Sequence, residues 1–470
     1  MNWKTIFRSF KNKDMQKRLV IVIGLIIAYR FLAHIPVPLA EPTQLKEVIN
    51  NVVSGSDFGG FLNLLSGGAL AQFSVVLVGM SPFITASIIT QLLTKAIPRL
   101  EELHKDGESG RRKINQWTRL LSVPLAIVQS IAFIYILRQT VLAGNTTGLA
   151  DPTPIEWIVA VTAMTAGSLL LMWLGELITE QGIGNGISLL IFAGIISQLP
   201  QTLSTIGTSL FDTSKDGALS VFGWFSLPVN PIAFWVVLGV TLVSLVVLYI
   251  LVKINEAQRV ITINYAKRVQ GNSTYGGVKS ILPVKLIAAG VIPVIFAVAF
   301  LALPAFIGQV LKATGNPDYL TLATNLITWF QAPQPGAFTG DTLTSLIYPV
   351  SYFALVILFT YFYTGIVFNA NEIAENLQKQ GGFIDGVRPG LQTEKYLSRT
   401  VNRLILFGSI ALGIIAILPF FAEYIFAQLS INATNLAIGG TGLLIVVSVG
   451  LESLRQINSR ALMVTYDDYT

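Results

Sequence analysis

Residues 71–94 read Ala-Gln-Phe-Ser-Val-Val-Leu-Val-Gly-Met-Ser-Pro-Phe-Ile-Thr-Ala-Ser-Ile-Ile-Thr-Gln-Leu-Leu-Thr, without a single Asp, Glu, Lys or Arg. The stretch that follows, 95–119, carries seven Lys and Arg. A helix rises about 1.5 Å per residue, so the uncharged run is long enough for the ~30 Å hydrocarbon core of a bilayer. A run of spanning length that ends in a basic loop marks a membrane helix emerging on the side where positive charge is retained.

The rest of the chain repeats this pattern. Its 470 residues are 53% hydrophobic and 12% charged, with a mean hydropathy of +0.65. Soluble domains carry about 25% charged residues, so the composition argues against a soluble enzyme. A disordered chain would be poor in apolar residues. The absence of cysteine removes disulfides, thiol catalysis and thiolate metal sites, and two histidines leave little for an imidazole site. No cofactor is expected.

Apolar runs of spanning length fall at 19–38, 71–94, 118–138, 155–175, 184–203, 232–252, 286–308, 345–369, 402–421 and 436–453, giving ten spans. The shorter apolar piece 58–70 cannot cross and reads as a re-entrant or plugging helix. Of 31 Lys and Arg, 26 lie in the N-terminal arm, the loops after spans 2, 6 and 8, and the C-terminal end. The opposite loops hold only Lys46, Arg138, Lys215 and Lys312, and Arg30 lies within span 1. This asymmetry predicts a multi-pass protein with both termini cytosolic. The basic arm has no small-residue cleavage pattern after its span, so it reads as a retained anchor.

Five spans precede and five follow the polar stretch 204–231. An odd number of spans inverts a second copy, so the chain is expected to form two inverted halves, 1–203 and 232–470, joined by an external hinge. The fold class expected is all-α and integral to the membrane, around a central pore.

Ion-coupled carriers keep titratable groups inside their spans. Spans 2, 3, 5, 7, 8 and 9 hold no Asp, Glu, Lys or Arg over 71–94, 120–137, 184–211, 286–311, 344–371 and 404–422, while Glu176, Glu180 and Glu452 sit at cytosolic ends and Glu156 at the outer end. A passive pore is therefore favoured over a ten-span secondary transporter or lipid flippase. Gly271–Gly276 imitates a phosphate-binding loop, but Gly277 stands where the essential Lys would be. Gly182-Ile-Gly-Asn-Gly186 lacks the strand–turn–helix setting of a dinucleotide site and reads as a tight turn between spans 4 and 5. Any driving energy must come from a partner.

Several polar and glycine-rich stretches carry a family resemblance. They are Phe61-Leu-Asn-Leu-Leu-Ser-Gly-Gly-Ala69, Ser81–Leu93, Gly107-Glu-Ser-Gly-Arg-Arg-Lys-Ile-Asn-Gln116 and Trp173–Ser188. Further along come Asn264-Tyr-Ala-Lys-Arg268, Ala289–Phe296, Ala374–Gly390 and Gly439–Ile445. In order and spacing the chain resembles the SecY family of bacterial protein-translocase channel subunits.

The resemblance implies a channel of a bacterial plasma membrane that passes unfolded secretory chains and releases hydrophobic segments to lipid. A lateral gate between spans 2–3 and 7–8 is implied. So are a plug including Phe61, Leu62, Leu64, Leu65, Gly67 and Gly68, and a pore ring of Met80, Ile84, Ile187, Ile191, Ile295 and Ile445. Two of these pairs, 80/84 and 187/191, have the i,i+4 spacing of one helical face. An aliphatic constriction blocks ions by dewetting and offers no bond that would hold a passing side chain. The implied partners are SecE- and SecG-type membrane subunits, a SecA-type motor ATPase and the ribosome.

Two cytosolic inserts, 253–285 and 371–400, would serve docking through Lys267, Arg268 and Arg388. The alternating run Arg259–Tyr265, with a turn at Gly271-Asn272, predicts a hairpin. Pro82, Pro293 and Pro349 fall inside spans and are expected to bend them. Two positions depart from the family pattern. Asn272-Ser273 replaces a basic pair, and Ile287 stands where a polar gate residue of span 7 is common, which would leave Gln129 of span 3 without a polar partner across the gate.

Overall fold

The computed structural model describes residues 13–37, 74–143, 154–211, 219–221, 225–227, 230–265, 268–270, 273–275, 279–287, 290, 292–330, 342–428 and 440–467. The chain is mostly helical. Its helices are α1 (Lys13–Leu32), α2 (Ser81–Ala96), α3 (Pro98–Lys105), α4 (Gly107–Ala143), α5 (Pro154–Gln181) and α6 (Gly186–Phe211), then α7 (Pro231–Glu256), α8 (Ile292–Ala313), α9 (Pro317–Phe330), α10 (Thr342–Val367), α11 (Ala370–Lys379), α12 (Leu391–Gln428) and α13 (Gly440–Asp467).

Six helices among the described residues are long and apolar enough to cross a membrane. They lie within α4, α5, α7, α8, α12 and the α10–α11 stretch, so the chain is a multi-pass membrane protein. The other expected spans correspond to α1, α2, α6 and α13. The expected plug, 58–70, lies outside the described residues.

Span 2 differs from its expected form. Helix α2 begins only at Ser81, and residues 75–80 run as turns. Gly79 takes a φ of 62°, and Pro82 occupies the first turn of α2, where its missing N–H would have had no helical partner anyway. The non-helical backbone is packed inside the protein, with Val76, Leu77, Val78 and Met80 all buried. Its polar groups are met locally. Val75 N–H donates to the Ile35 carbonyl at 2.9 Å, and Ser168 Oγ donates to the Gly79 carbonyl at 2.8 Å. Irregular backbone at membrane depth is tolerated only under such cover.

Prolines are placed otherwise than the sequence suggests. Pro293 is the second residue of α8, so it and Pro82 start helices and do not bend them. Helix-interior prolines include Pro124, Pro200, Pro304 and, as expected, Pro349. Helix α9 is also unforeseen. It follows the left-handed turn at Gly315 and packs back on α8, where a Cβ at Gly308 would lie 3.0 Å from the Ala323 carbonyl.

On the Lys/Arg-rich side the inserts form a sheet. Strand β3 (Gln258–Tyr265) lies between β6 (Lys279–Lys285) and β7 (Gly382–Ile384), antiparallel to both. Strands β4 (Arg268–Gln270) and β5 (Ser273–Tyr275) pair antiparallel, with Gln270 opposite Ser273; the expected turn at 271–272 lies outside the described residues. Pro283 is tolerated because β6 is an edge strand. Alternation along β3 buries Ile261 and Ile263, and Ile261, Val284 and Ile384 pack with Leu397, Val401 and Ile405 of α12. A short two-stranded ribbon, β1 (Leu219–Val221) with β2 (Phe225–Leu227), lies within the polar stretch 204–231.

Candidate functional site

One apolar cluster runs through the helical body, and all six expected ring residues belong to it. Met80, Ile84, Ile191, Ile295 and Ile445 are buried within it, and Ile187 packs against it partly buried. They come from four elements drawn from both halves of the chain: the entry to α2, then α6, α8 and α13.

Local sequence places each of them. Met80 is the N-cap of α2, and the Ile84 N–H donates to its carbonyl at 3.0 Å, so the two residues stack one turn apart. Helix α6 starts at Gly186 because Asn185 Oδ1 accepts from the N–H groups of Ile187 at 3.1 Å and Ser188 at 3.3 Å. Thr179 Oγ1 accepts from the Gly186 N–H at 2.9 Å. A Cβ on Gly186 would lie 1.8 Å from the Gly175 carbonyl, so only glycine permits this approach of α5 and α6. The 182–186 stretch is thus the tight turn its composition suggested. Ile295 lies in the first turn of α8.

A crevice of about 30 Å³ lies where α2, α4 and α8 meet. Ser81 and Thr85 of α2 and Gln129 of α4 line it, facing Ala299, Ala302, Leu303 and Phe306 of α8. The α8 side is apolar, as the departure at 287 implied, but the geometry differs. Ile287 sits in the turn after β6, ahead of α8, and is buried in the central cluster. Span 7 starts at Ile292 because the sheet and its turn use residues 279–287. Gln129 therefore has Ser81 and Thr85 as its polar neighbours in the crevice.

Of the docking candidates, Arg388 is exposed in the turn joining β7 to α12. That turn is held by Val387 N–H to the Ile384 carbonyl at 3.0 Å and by Thr393 Oγ1 donating to the Arg388 carbonyl at 2.9 Å. Arg268 lies on β4, while Lys267, Asn272 and the plug residues Phe61, Leu62, Leu64, Leu65, Gly67 and Gly68 lie outside the described residues. Sequence reasoning treated the two inserts separately. The structure joins them, with Asn264 Nδ2 donating to Asp385 Oδ1 at 2.6 Å. Both residues stand in the quoted motifs, but nothing in their spacing says that they meet.

Charged groups cluster at the basic ends of helices. Arg119 of α4 pairs with Glu176 of α5 at 2.6 Å. Arg455 of α13 donates through Nη2 to the Asn255 carbonyl of α7 at 2.9 Å. Near it, burial and then the Arg455 charge hold the Lys285 ammonium below the usual lysine range, with Glu452 opposing them.

A SecY family model matches residues 74–454. Proteins named "Protein translocase subunit SecY" from Streptomyces coelicolor and Corynebacterium glutamicum are each 40% identical, over 98% of both chains. The fold is similar to a structure described as "The structure of a protein conducting channel", with a TM-score of 0.61 and 20% identity over 93% of this chain and 90% of that one. It is similar also to "Sec61 in the Canine ribosome-channel complex from the endoplasmic reticulum", with a TM-score of 0.55 and 18% identity over 93% and 90%. With the match extending through nearly the whole chain, this protein belongs to the SecY family of protein-translocase channel subunits.

Proposed function

We propose that the chain forms the passive pore of a Sec translocon in a bacterial plasma membrane, with ten spans and both termini cytosolic. The observation that supports this most is the convergence of Met80, Ile84, Ile187, Ile191, Ile295 and Ile445 in one apolar cluster. Aliphatic groups from separate helices can part around a moving chain and close behind it, sealing against ions by excluding water. They bring no hydrogen bond or charge that would select among passing sequences.

In this reading α2 and α4 move away from α8 along the seam at Gln129 to let hydrophobic segments reach lipid, and residues 58–70 plug the resting pore. The sheet and the turn at Arg388 receive a SecA-type motor or the ribosome, and SecE- and SecG-type subunits complete the complex. The chain itself has no sequence feature for nucleotide hydrolysis, so the energy is the partner's. A stalled secretory chain should crosslink to a photoreactive probe at Ile191 and not to one at Ile414, an exposed residue of α12. Equal labelling at both positions would refute the pore assignment.

A further inference from the structure

Helix α9 turns Ala323, Leu326, Ile327 and Phe330 inward, at the spacing of one helical face. A Cβ on Gly308 of α8 would lie 3.0 Å from the Ala323 carbonyl, from Leu326 Cβ and from Ile327 Cγ1, so α9 sits almost directly on the α8 backbone there. Gly308 lies more than a turn short of the end of α8 at Ala313, and Phe330 packs against the central apolar cluster. After the turn at Gly315, α9 therefore runs back alongside α8 towards the body of the protein.

The rest of its surface is not that of a helix in water. No charged side chain occurs from Tyr319 to Phe330, and the nearest charges, Lys312 in the last turn of α8 and Asp318 in the first turn of α9, both stand beside the Gly315 turn. Leu322 and Trp329, two turns apart on one flank, are 52% and 41% exposed. Ile307, next to Gly308, is exposed as well, on a helix long and apolar enough to cross a membrane. The apolar flank of α9 thus continues the apolar surface of a spanning helix. On the neighbouring stripe Thr321 and Thr328 are exposed. Thr324 Oγ1 donates to the Leu320 carbonyl and Thr328 Oγ1 to the Thr324 carbonyl, each at 2.9 Å, so these hydroxyls are satisfied without water. Tyr and Trp gather where hydrocarbon meets water, and α9 carries Tyr319 near one end and Trp329 near the other.

We propose that α9 is an interfacial helix seated in the outer leaflet, with Leu322 and Trp329 among the acyl chains and Thr321 and Thr328 turned to water. At 14 residues, about 21 Å, it is too short to cross, and its apolar flank needs only the boundary of the hydrocarbon. Because Gly308 leaves no space between the two helices, α8 cannot tilt at its outer end without carrying α9 through lipid. This seat requires only that α8 spans the membrane, so its failure would leave the pore reading untouched.

The chain has no cysteine, so single nitroxide labels can be placed on it in the assembled channel complex, reconstituted in phosphatidylethanolamine–phosphatidylglycerol vesicles. Leu322→Cys, Trp329→Cys, Thr321→Cys and Thr328→Cys are compared by their collision rates with oxygen, which concentrates in hydrocarbon, and with a neutral nickel chelate, which stays in water. Leu242→Cys, at an exposed position of α7, gives the lipid reference, and Arg111→Cys, at an exposed position of α4 on the basic side, gives the water reference. The oxygen-to-nickel ratio at 322 and 329 should approach that at 242 and exceed that at 321 and 328 severalfold. Ratios at 322 and 329 equal to that at 111 would overturn the proposal and make α9 an aqueous helix. Exclusion of both reagents from 322 and 329 would also overturn it, because protein would then cover the flank. An unlabelled chain supplies an independent reading. The fluorescence that Trp329→Phe removes should be quenched by phospholipid brominated on its acyl chains, and its persistence in that lipid would refute the seat.

Discussion

Asn264 and Asp385, 121 residues apart, share a 2.6 Å hydrogen bond that fastens β7 to the end of β3. Only Ile263, Asn264 and Tyr265 of β3 pair with β7, so this side-chain bond is a large part of what holds the Arg388 turn to the sheet. A hydrogen bond to a charged acceptor contributes about 1.5–3 kcal/mol net of the bonds to water it replaces, and less at an exposed site. Asp385→Ala should therefore lower amide-exchange protection at 382–384 by about fivefold or more, while 279–285 on the opposite edge keeps its own. Asp385→Asn retains an accepting oxygen and should lose less. Equal protection in Asp385→Ala and wild type would show that the strand pairing stands without this bond.

The contact of Gly186 with Gly175 gives a sharper prediction. Neither backbone can move without displacing Ile187 and the N-cap at Asn185, so Gly186→Ala should cost about 3 kcal/mol or more. It should appear as a large fall in the thermal midpoint of the purified protein. Gly24→Ala, in α1, meets nothing within 4 Å and should be neutral or slightly stabilising, because alanine is the better helix former.

If the six-residue ring seals the pore, polarity introduced there should leak ions in a way that polarity elsewhere in the core does not. Ile191 and Leu171 are both 1% exposed and belong to the same cluster, so Ile191→Ser and Leu171→Ser should lose similar stability. Only Ile191→Ser should raise the conductance of reconstituted vesicles. A rise in both would assign the leak to general loosening of the core.

His104, on α3, offers a pH-dependent readout outside the membrane. Burial first, then the charges of Arg111 and Lys95, hold its pKa below the usual 6.5. The folded state therefore resists protonation. Stability is unaffected above about 6.5 and falls as the pH drops from 6.5 through the folded value, because the unfolded chain takes the proton first. Amide exchange across α3, corrected for intrinsic rate, should speed up between pH 7.5 and 5.5, and His104→Gln should abolish that change. The same acceleration in the variant would assign it to another group.

The chain's membrane character was legible in charge placement. Where hydrophobicity alone set the element boundaries, they shifted. Residues 71–80 are as apolar as a spanning helix, yet 75–80 are turns, because Gly79 adopts a left-handed conformation and the freed polar groups bond to Ile35 and Ser168. Those partners are distant in sequence, so no local window could reveal them. The six residues of the proposed ring could be picked out only through motifs. An isoleucine facing a pore and one facing a neighbour have the same chemistry, and only packing distinguishes them. The union of the two inserts depended on β7, three residues long, which is too short to give an alternating pattern.

Arg388 separates a docking role from a structural one. Its side chain is exposed and makes no bond among the described residues, whereas its carbonyl is gripped by Thr393, a residue 2% exposed. Charge reversal in Arg388→Glu should therefore leave stability within about 0.5 kcal/mol of wild type while sharply reducing motor-driven translocation into vesicles. Thr393→Val keeps the shape and the charge but removes the bond that orients the turn. It should give an intermediate loss of translocation together with faster exchange at 386–390. Normal translocation by Arg388→Glu would remove this residue from the docking surface. A matched loss of stability and transport in both variants would make the turn a structural element alone.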